Sequence, residues 1–193
     1  MAILTLLRHG RTAANAAGLI QGRIDNPLDE YGEAQAAAAA AAIGPVDRVV
    51  SSPLLRARQT AEFFSTSHEV DDRWIELDYG AWDGLAMAGL PADTWPTWRR
   101  NMDLRPPGGE TLTEVGIRAR AALDSIVGQE LPEHTVVVSH VSPIKAAVAW
   151  ALGMEDHVGW RIRLSTGSFT QVIVGEDFGP TLLSFNVVPP ADT

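Results

Sequence analysis

Ala2-Ile3-Leu4-Thr5-Leu6-Leu7-Arg8-His9-Gly10-Arg11-Thr12-Ala13-Ala14-Asn15 is the stretch on which the fold turns. Ala2 to Leu7 is an apolar run of strand length that stops abruptly at Arg8, His9 and Gly10. Such a run predicts a buried strand that delivers polar groups at its carboxyl end, where open α/β sheets place their ligands. A β-branched run from Thr135 to Ser139 predicts a second strand of this kind, ending on His140. Asp47 to Ser51 predicts a third, ending on Ser52-Pro53.

Helices separate these strands. The alanine-rich stretch Asp29 to Ile43 has high helix propensity and stops before Gly44-Pro45, with Glu33 and Gln35 marking a solvated face. Ser52-Pro53 opens a predicted helix to about Phe64, with Ser52 as N-cap and Pro53 as first helical residue. A short strand is expected near Glu69 to Asp71. Thr111 and Glu114 have capping-box spacing at the start of a helix running to Gln129, and Ser142-Pro143 starts another that runs to Leu152. The tail from Trp160 to Val188 alternates enough for two or three edge strands. Residues 78–109, rich in Gly, Pro and Trp, fit no βα unit and are expected to form a lid insertion with a short helix around Thr94 to Met102. Strands alternating with helices imply a layered α/β fold, and 193 residues suit a single domain, 1–193.

The composition narrows the function. A formal net charge of −9 disfavours nucleic acid as a partner and requires any phosphate site to be a local cluster drawn from the 15 Lys and Arg residues. The absence of cysteine excludes disulfides, thiolate metal sites and a cysteine nucleophile. Met1 to Arg8 is too short for a secretory signal, and no run of about 18 apolar residues suggests a membrane span, so a cytoplasmic location is expected.

His9 and His140 each follow a predicted strand and therefore share one rim of the sheet. A lone strand-end histidine is commonly structural, but Arg8 beside His9 needs an anion to justify its desolvation. Arg56 and Arg58, in Ser52-Pro53-Leu54-Leu55-Arg56-Ala57-Arg58-Gln59-Thr60-Ala61, lie on different helical faces, so at most one points to that rim. His68, His134 and His157 have no such strand-end context.

Arg8-His9-Gly10-Arg11-Thr12-Ala13-Ala14-Asn15 resembles the R-H-G-x-T-x-x-N signature of the histidine phosphatase (phosphoglycerate mutase-like) superfamily, branch 1. The resemblance continues in family order. Gln21 to Leu28 is similar to a G-x-x-D-x-P-L loop, and Ser52 to Ala61 to S-x-L-x-R-A-x-x-T-A. Glu76-Leu77-Asp78-Tyr79-Gly80-Ala81-Trp82-Asp83-Gly84 is similar to E-x-x-x-G-x-W-E-G, with Asp83 in place of Glu. Pro107 to Thr111 resembles P-G-G-E-S, and Val138-Ser139-His140 the strand bearing the second histidine. The resemblance spans about residues 3 to 150.

It implies a three-layer α/β/α fold with a mostly parallel central sheet, and a phosphatase that hydrolyses small-molecule phosphate monoesters through a phosphohistidine on His9. Glu76 becomes the proton donor. Arg8, Arg56 and His140 join His9 and Glu76 as catalytic residues, and Asn15, Gly22 and Val141 join Arg8, Arg56 and His140 in the phosphate cradle. The family usually carries Gly after the second histidine. Val141 would be strained at positive φ, so its amide must bind phosphate from an ordinary conformation or not at all. No metal or cofactor is implied, and the expected partners are a small phosphorylated metabolite and inorganic phosphate. Edge strands in the tail suit a homodimer. One rival is a cofactor-dependent phosphoglycerate mutase. It resembles longer chains with more insertion arginines than Arg99, Arg100 and Arg105. A noncatalytic phosphate-binding module is the other, and it has no need of a positioned proton donor.

Overall fold

In the computed structural model, which describes residues 1–128, 132–175 and 179–191, β1 (Ala2–Arg8) runs through the interior of a six-stranded sheet. The strand order is β3-β2-β4-β1-β5-β6. β2 (Arg48–Ser51), β3 (His68–Val70) and β4 (His134–Ser139) run parallel with β1, and β5 (Phe169–Val174) and β6 (Thr181–Val187) complete one edge antiparallel. Strands covered on both faces need apolar side chains in succession, which is why Leu4, Leu6 and Leu7 and Val136 to Val138 are all buried.

Alternate residues of β1 serve two cores. Leu4 and Leu6 meet α5 (Leu112–Val127) and α6 (Val141–Ala151) through Leu123, Ile126, Ile144 and Val148. Leu7 faces α2 (Glu30–Ile43) and α3 (Leu55–Ala61) through Ala39, Ala57 and Ala61. The result is three layers, α/β/α, with a mostly parallel sheet. A short α1 (Ala13–Ala16) begins at Thr12, whose side chain and that of Asn15 form a reciprocal capping box.

Several boundaries have clear causes. Asp29 caps α2 by accepting the Gly32 amide at 2.8 Å, and Gly44 at φ 80° ends it. The Thr111–Glu114 capping box forms as expected, and α5 is described to Val127; the expected end at Gln129 lies outside the described residues. α3 departs from expectation: it starts at Leu55, with Leu54 at the cap position and no side-chain cap. Ser52 is instead fully buried and turned toward His140. α6 starts one residue before the expected Ser142-Pro143. Pro143 falls in its first turn, where no amide donor is needed. Gln35 was expected on a solvated face, but it is buried and accepts the Arg11 amide at 2.9 Å. Trp160 belongs to a 3-10 segment, Asp156–Arg161, and the tail supplies two strands.

Residues 78–109 depart from the sheet and return to it. Glu110 N donates to Asp78 O at 2.9 Å, and Ala81 N to Pro107 O at 2.9 Å, which closes the segment at its base. Two 3-10 turns (Gly80–Trp82 and Met87–Gly89) and α4 (Thr94–Arg100), slightly shorter than expected, fill it. Trp98 is buried at its centre, with Tyr79, Trp82, Trp95 and Trp160 around it.

Candidate active site

The ends of β1, β2 and β4 bring Arg8, His9, Ser52, Arg56 and His140 to one rim, and Glu76 reaches it from the chain after the 3-10 turn Asp72–Trp74. His9, Arg56, Glu76 and His140 are each less than 5% exposed. Two glycines make this approach possible. The β1–α1 loop lies directly on the first turn of α2, so a Cβ on Gly10 would collide with the Gly32 carbonyl, and one on Gly32 with the Arg11 carbonyl.

His9 Nδ1 lies 2.7 Å from the Gly10 carbonyl oxygen, which can only accept, so Nδ1 carries the proton and Nε2 keeps its lone pair. Arg56 Nε–H points at that Nε2 from 3.3 Å. Burial, then the charges of Arg56 and Arg8, hold the His9 pKa well below 6.5. The ring is therefore neutral and nucleophilic near neutral pH.

The His140 ring centroid is 5.0 Å from that of His9. Its Nε2 lies 2.7 Å from Ser52 Oγ, and its Nδ1 is buried with no hydrogen-bond partner. When Ser52 donates to Nε2, Nδ1–H is a buried donor available to an incoming acceptor. Burial, then Arg56 and His9, lowers the His140 pKa well below 6.5 as well.

The two arginines are tethered through backbone carbonyls. Arg8 donates to Leu164 O at 2.8 Å and leaves Nε buried and unpartnered. Arg56 donates to Ile24 O at 3.0 Å and Gly22 O at 2.7 Å. Burial lowers both guanidinium pKa values to about 10, with Glu76 acting in the opposite sense, so both remain cationic at neutral pH. Arg58 is half-buried on another face of α3 and does not line the cavity.

Glu76 accepts three backbone amides: Leu77 at 2.7 Å, Val141 at 3.0 Å and Ser142 at 3.2 Å. The Val141 amide is thus directed at Glu76, from an ordinary helical conformation; among the described residues only Asn186 is non-glycine with positive φ. The Gly22 amide is also committed elsewhere. It donates to Asp83 Oδ1 at 2.8 Å, away from the expected cradle, and Arg23 and Ile24 donate to Oδ2 of the same carboxylate. Asp83 thereby ties the 22–24 loop to the insertion, and Gly22 contributes its carbonyl, by holding Arg56. Asn15 Oδ1 accepts from Thr12, which leaves its amide NH2 for the cavity it lines.

A cavity of about 540 Å³ opens over this cluster, lined by Arg8, His9, Asn15, Glu76, Trp95 and Arg163 among others. Size does not single it out: a cavity of about 510 Å³ beside α2 is lined by alanines, Phe63, Phe64 and small polar residues, with no titratable group. Ser52 and Tyr79 were not assigned to the site from sequence. Burial, with Glu76 adding to the effect, pushes the Tyr79 hydroxyl above its usual 10, so the phenol at the cavity wall stays protonated. Among the described residues no cluster of His, Asp or Glu is arranged to hold a metal ion, and no helix is long and apolar enough to cross a membrane.

The model of the histidine phosphatase superfamily (branch 1) matches residues 4–188. The chain belongs to this superfamily. Relatives include a bifunctional protein of Mycobacterium tuberculosis, 36% identical over 178 residues, which cover 86% of this chain and 49% of that protein. The chain thus spans about half the length of that relative. The Yersinia pestis protein named "Probable phosphoglycerate mutase GpmB" is 33% identical, over 86% of this chain and 82% of its own length. Among solved structures, a mycobacterial glucosyl-3-phosphoglycerate phosphatase in complex with VO3 superposes with a TM-score of 0.88 at 30% identity, covering 97% of this chain and 100% of its own. A histidine-to-alanine mutant of phosphoserine phosphatase from Entamoeba histolytica, in complex with phosphoserine, gives 0.85 at 29%, covering 96% and 97%.

Proposed function

We propose that this chain, as a single domain over 1–193 with residues 78–109 as its lid, is a phosphatase acting on small phosphate monoesters through a phosphohistidine on His9. The observation that carries the reading is a buried neutral His9 whose unprotonated Nε2 faces Arg56 beneath a cavity also lined by Arg8 and Glu76. His9 Nε2 attacks phosphorus in line, the P–N bond forms as the ester P–O bond breaks, and Glu76 delivers a proton to the leaving oxygen. The Val141 and Ser142 amides hold the Glu76 carboxyl beside the cavity for this transfer. Arg8, Arg56, Asn15 and the free Nδ1–H of His140 accept the charge on the transferring oxygens. In the second half Glu76 takes a proton from water, water oxygen bonds to phosphorus, the P–N bond breaks, and inorganic phosphate leaves. Every step uses side chains of this chain, with no cofactor.

The names of the similar phosphatases support a small phosphorylated metabolite as substrate. Rapid quenching in base after mixing with an alkyl phosphate should trap an acid-labile, base-stable phosphoryl group on His9. Phosphate release without any such adduct would overturn the mechanism. A mutase reading is favoured by the similarity to the Yersinia protein. It would replace ours if, with 2,3-bisphosphoglycerate present, interconversion of 2- and 3-phosphoglycerate outran phosphate release from the best ester. We place the chain in the cytoplasm. β6 is an open sheet edge with Leu183, Phe185 and Val187 exposed, which suits a homodimer. A monomer mass in sedimentation equilibrium would remove that part.

A further inference from the structure

A second cavity, of about 270 Å³, adjoins the catalytic one and shares Tyr79, Met87, Trp95 and Val141 with it. Beyond these shared residues its walls are Trp98, Trp160, Leu77 and Leu112, with Lys145 on one side and Asp156 on another. Most of the chamber is therefore aromatic or aliphatic surface, of the kind that stacks a planar or apolar body.

Lys145 is the exception. It lies on α6 one turn after Val141, and its aliphatic stem runs along Gly159: a Cβ at that position would sit 3.4 Å from Lys145 Cβ and 3.6 Å from Cδ. Its ammonium makes no ion pair or hydrogen bond among the described residues. Asp156, which could have neutralised it, is paired with Arg120 at 2.6 Å. Glu76 attracts the ammonium from the catalytic side, while Arg8 and Arg99 repel it, and burial is the largest influence, lowering its pKa from 10.5. A largely desolvated cation is costly unless something anionic meets it.

We propose that this chamber holds the alcohol half of the substrate and that Lys145 binds a carboxylate on it, so that the preferred substrates are phosphate monoesters of hydroxy acids with an apolar or aromatic body. The inference rests on the phosphatase reading above. One ammonium matches one carboxylate. A second phosphate dianion would bring two charges to a chamber whose walls offer Lys145 as their one cation.

The test compares phenyl phosphate with 3- and 4-carboxyphenyl phosphate, and adds phenylacetate as an unphosphorylated probe read by tryptophan fluorescence, since Trp95 and Trp160 line the chamber. Wild type should show kcat/KM for the better carboxylated ester about tenfold or more above phenyl phosphate, the scale of one charge-assisted hydrogen bond. Lys145→Met should bring that ratio to about one, Lys145→Arg should keep most of it, and phenylacetate should give a saturable signal that Lys145→Met loses. Turnover of phenyl phosphate with no carboxylate preference in wild type overturns the inference, whatever the variants do. A preference that survives Lys145→Met, with phenylacetate still binding, overturns the assignment to Lys145. If no ester is hydrolysed but phenylacetate titrates and depends on Lys145, the chamber stands and the phosphatase reading falls.

Discussion

On one wall of the catalytic cavity stand Arg8 and His9, with Arg56 Nε 3.3 Å from His9 Nε2 and the His140 ring 5.0 Å from that of His9, all held by carbonyls, a serine hydroxyl and one another; on the other, Tyr79, Met87 and Trp95 come from two 3-10 turns and α4 beside an aromatic cluster. The first wall is polar, buried and anchored in the sheet, which suits pre-set charge stabilisation. The second is apolar and belongs to the insertion, not to the sheet, which suits selection among leaving groups. The chemistry should therefore be insensitive to the ester and carried by the first wall, while preference among esters should reside in the second.

The largest expected effect is His9→Ala, which should remove turnover of every ester by about 10⁴-fold or more, since the nucleophile itself is gone. Retained phosphate release on even one ester would break the division between walls. Arg56→Ala should follow, at about 10²- to 10³-fold in kcat, because it loses the donor to His9 Nε2 together with the tether to Gly22 and Ile24. Arg58→Ala should cost far less. Equal losses in initial rates for the two variants would show that the wrong arginine has been placed in the site.

The two walls also differ in how far they were legible. Leu4 to Leu7 followed by Arg8-His9, and Val136 to Ser139 followed by His140, are local patterns, and they were enough to place two interior strands and the rim on which both histidines lie. Ser52 was misread because Ser-Pro after a strand is also a helix-start signal; only the fold shows that α3 begins three residues later and frees the hydroxyl for a histidine 88 positions away. Gly22 was misplaced for the same reason, since the carboxylate that captures its amide lies 61 residues on. In the insertion, packing and stacking tryptophans have identical sequence context. Trp98 fills the core of the insertion and also walls the smaller cavity that Trp95 and Trp160 face.

Glu76 sits where the walls meet, and its substitution should depend on the leaving group. Alkyl esters depart as strongly basic alkoxides and need a proton, whereas p-nitrophenolate does not. Glu76→Gln should slow phosphorylation of His9 by alkyl phosphates about 100-fold or more and by p-nitrophenyl phosphate much less, when both are read on the burst. Equal fractional losses would make Glu76 an anchor for the Val141 and Ser142 amides and not the donor.

The smallest effect is on stability, and it separates the walls by pH. His9 and His140 are held well below 6.5 in the folded protein, chiefly by burial, while in the unfolded chain each takes up a proton near 6.5. Above that pH neither state is protonated and the folded protein has its full stability. As pH falls below 6.5 the unfolded chain binds protons that the folded one refuses, so stability declines, by up to about 1.4 kcal/mol per pH unit for each group. His134, also lowered by burial, adds in the same direction. Urea unfolding should therefore show a loss on the order of 2–3 kcal/mol from these two histidines between pH 7.5 and 5.5. His9→Gln/His140→Gln should flatten most of that slope, whatever its absolute stability. Trp95→Ala should leave the slope intact, because no histidine lines the aromatic wall. A double variant with the wild-type slope would mean that the two histidines are not held neutral by the wall that buries them, and His9 could not then be the lone-pair nucleophile at neutral pH.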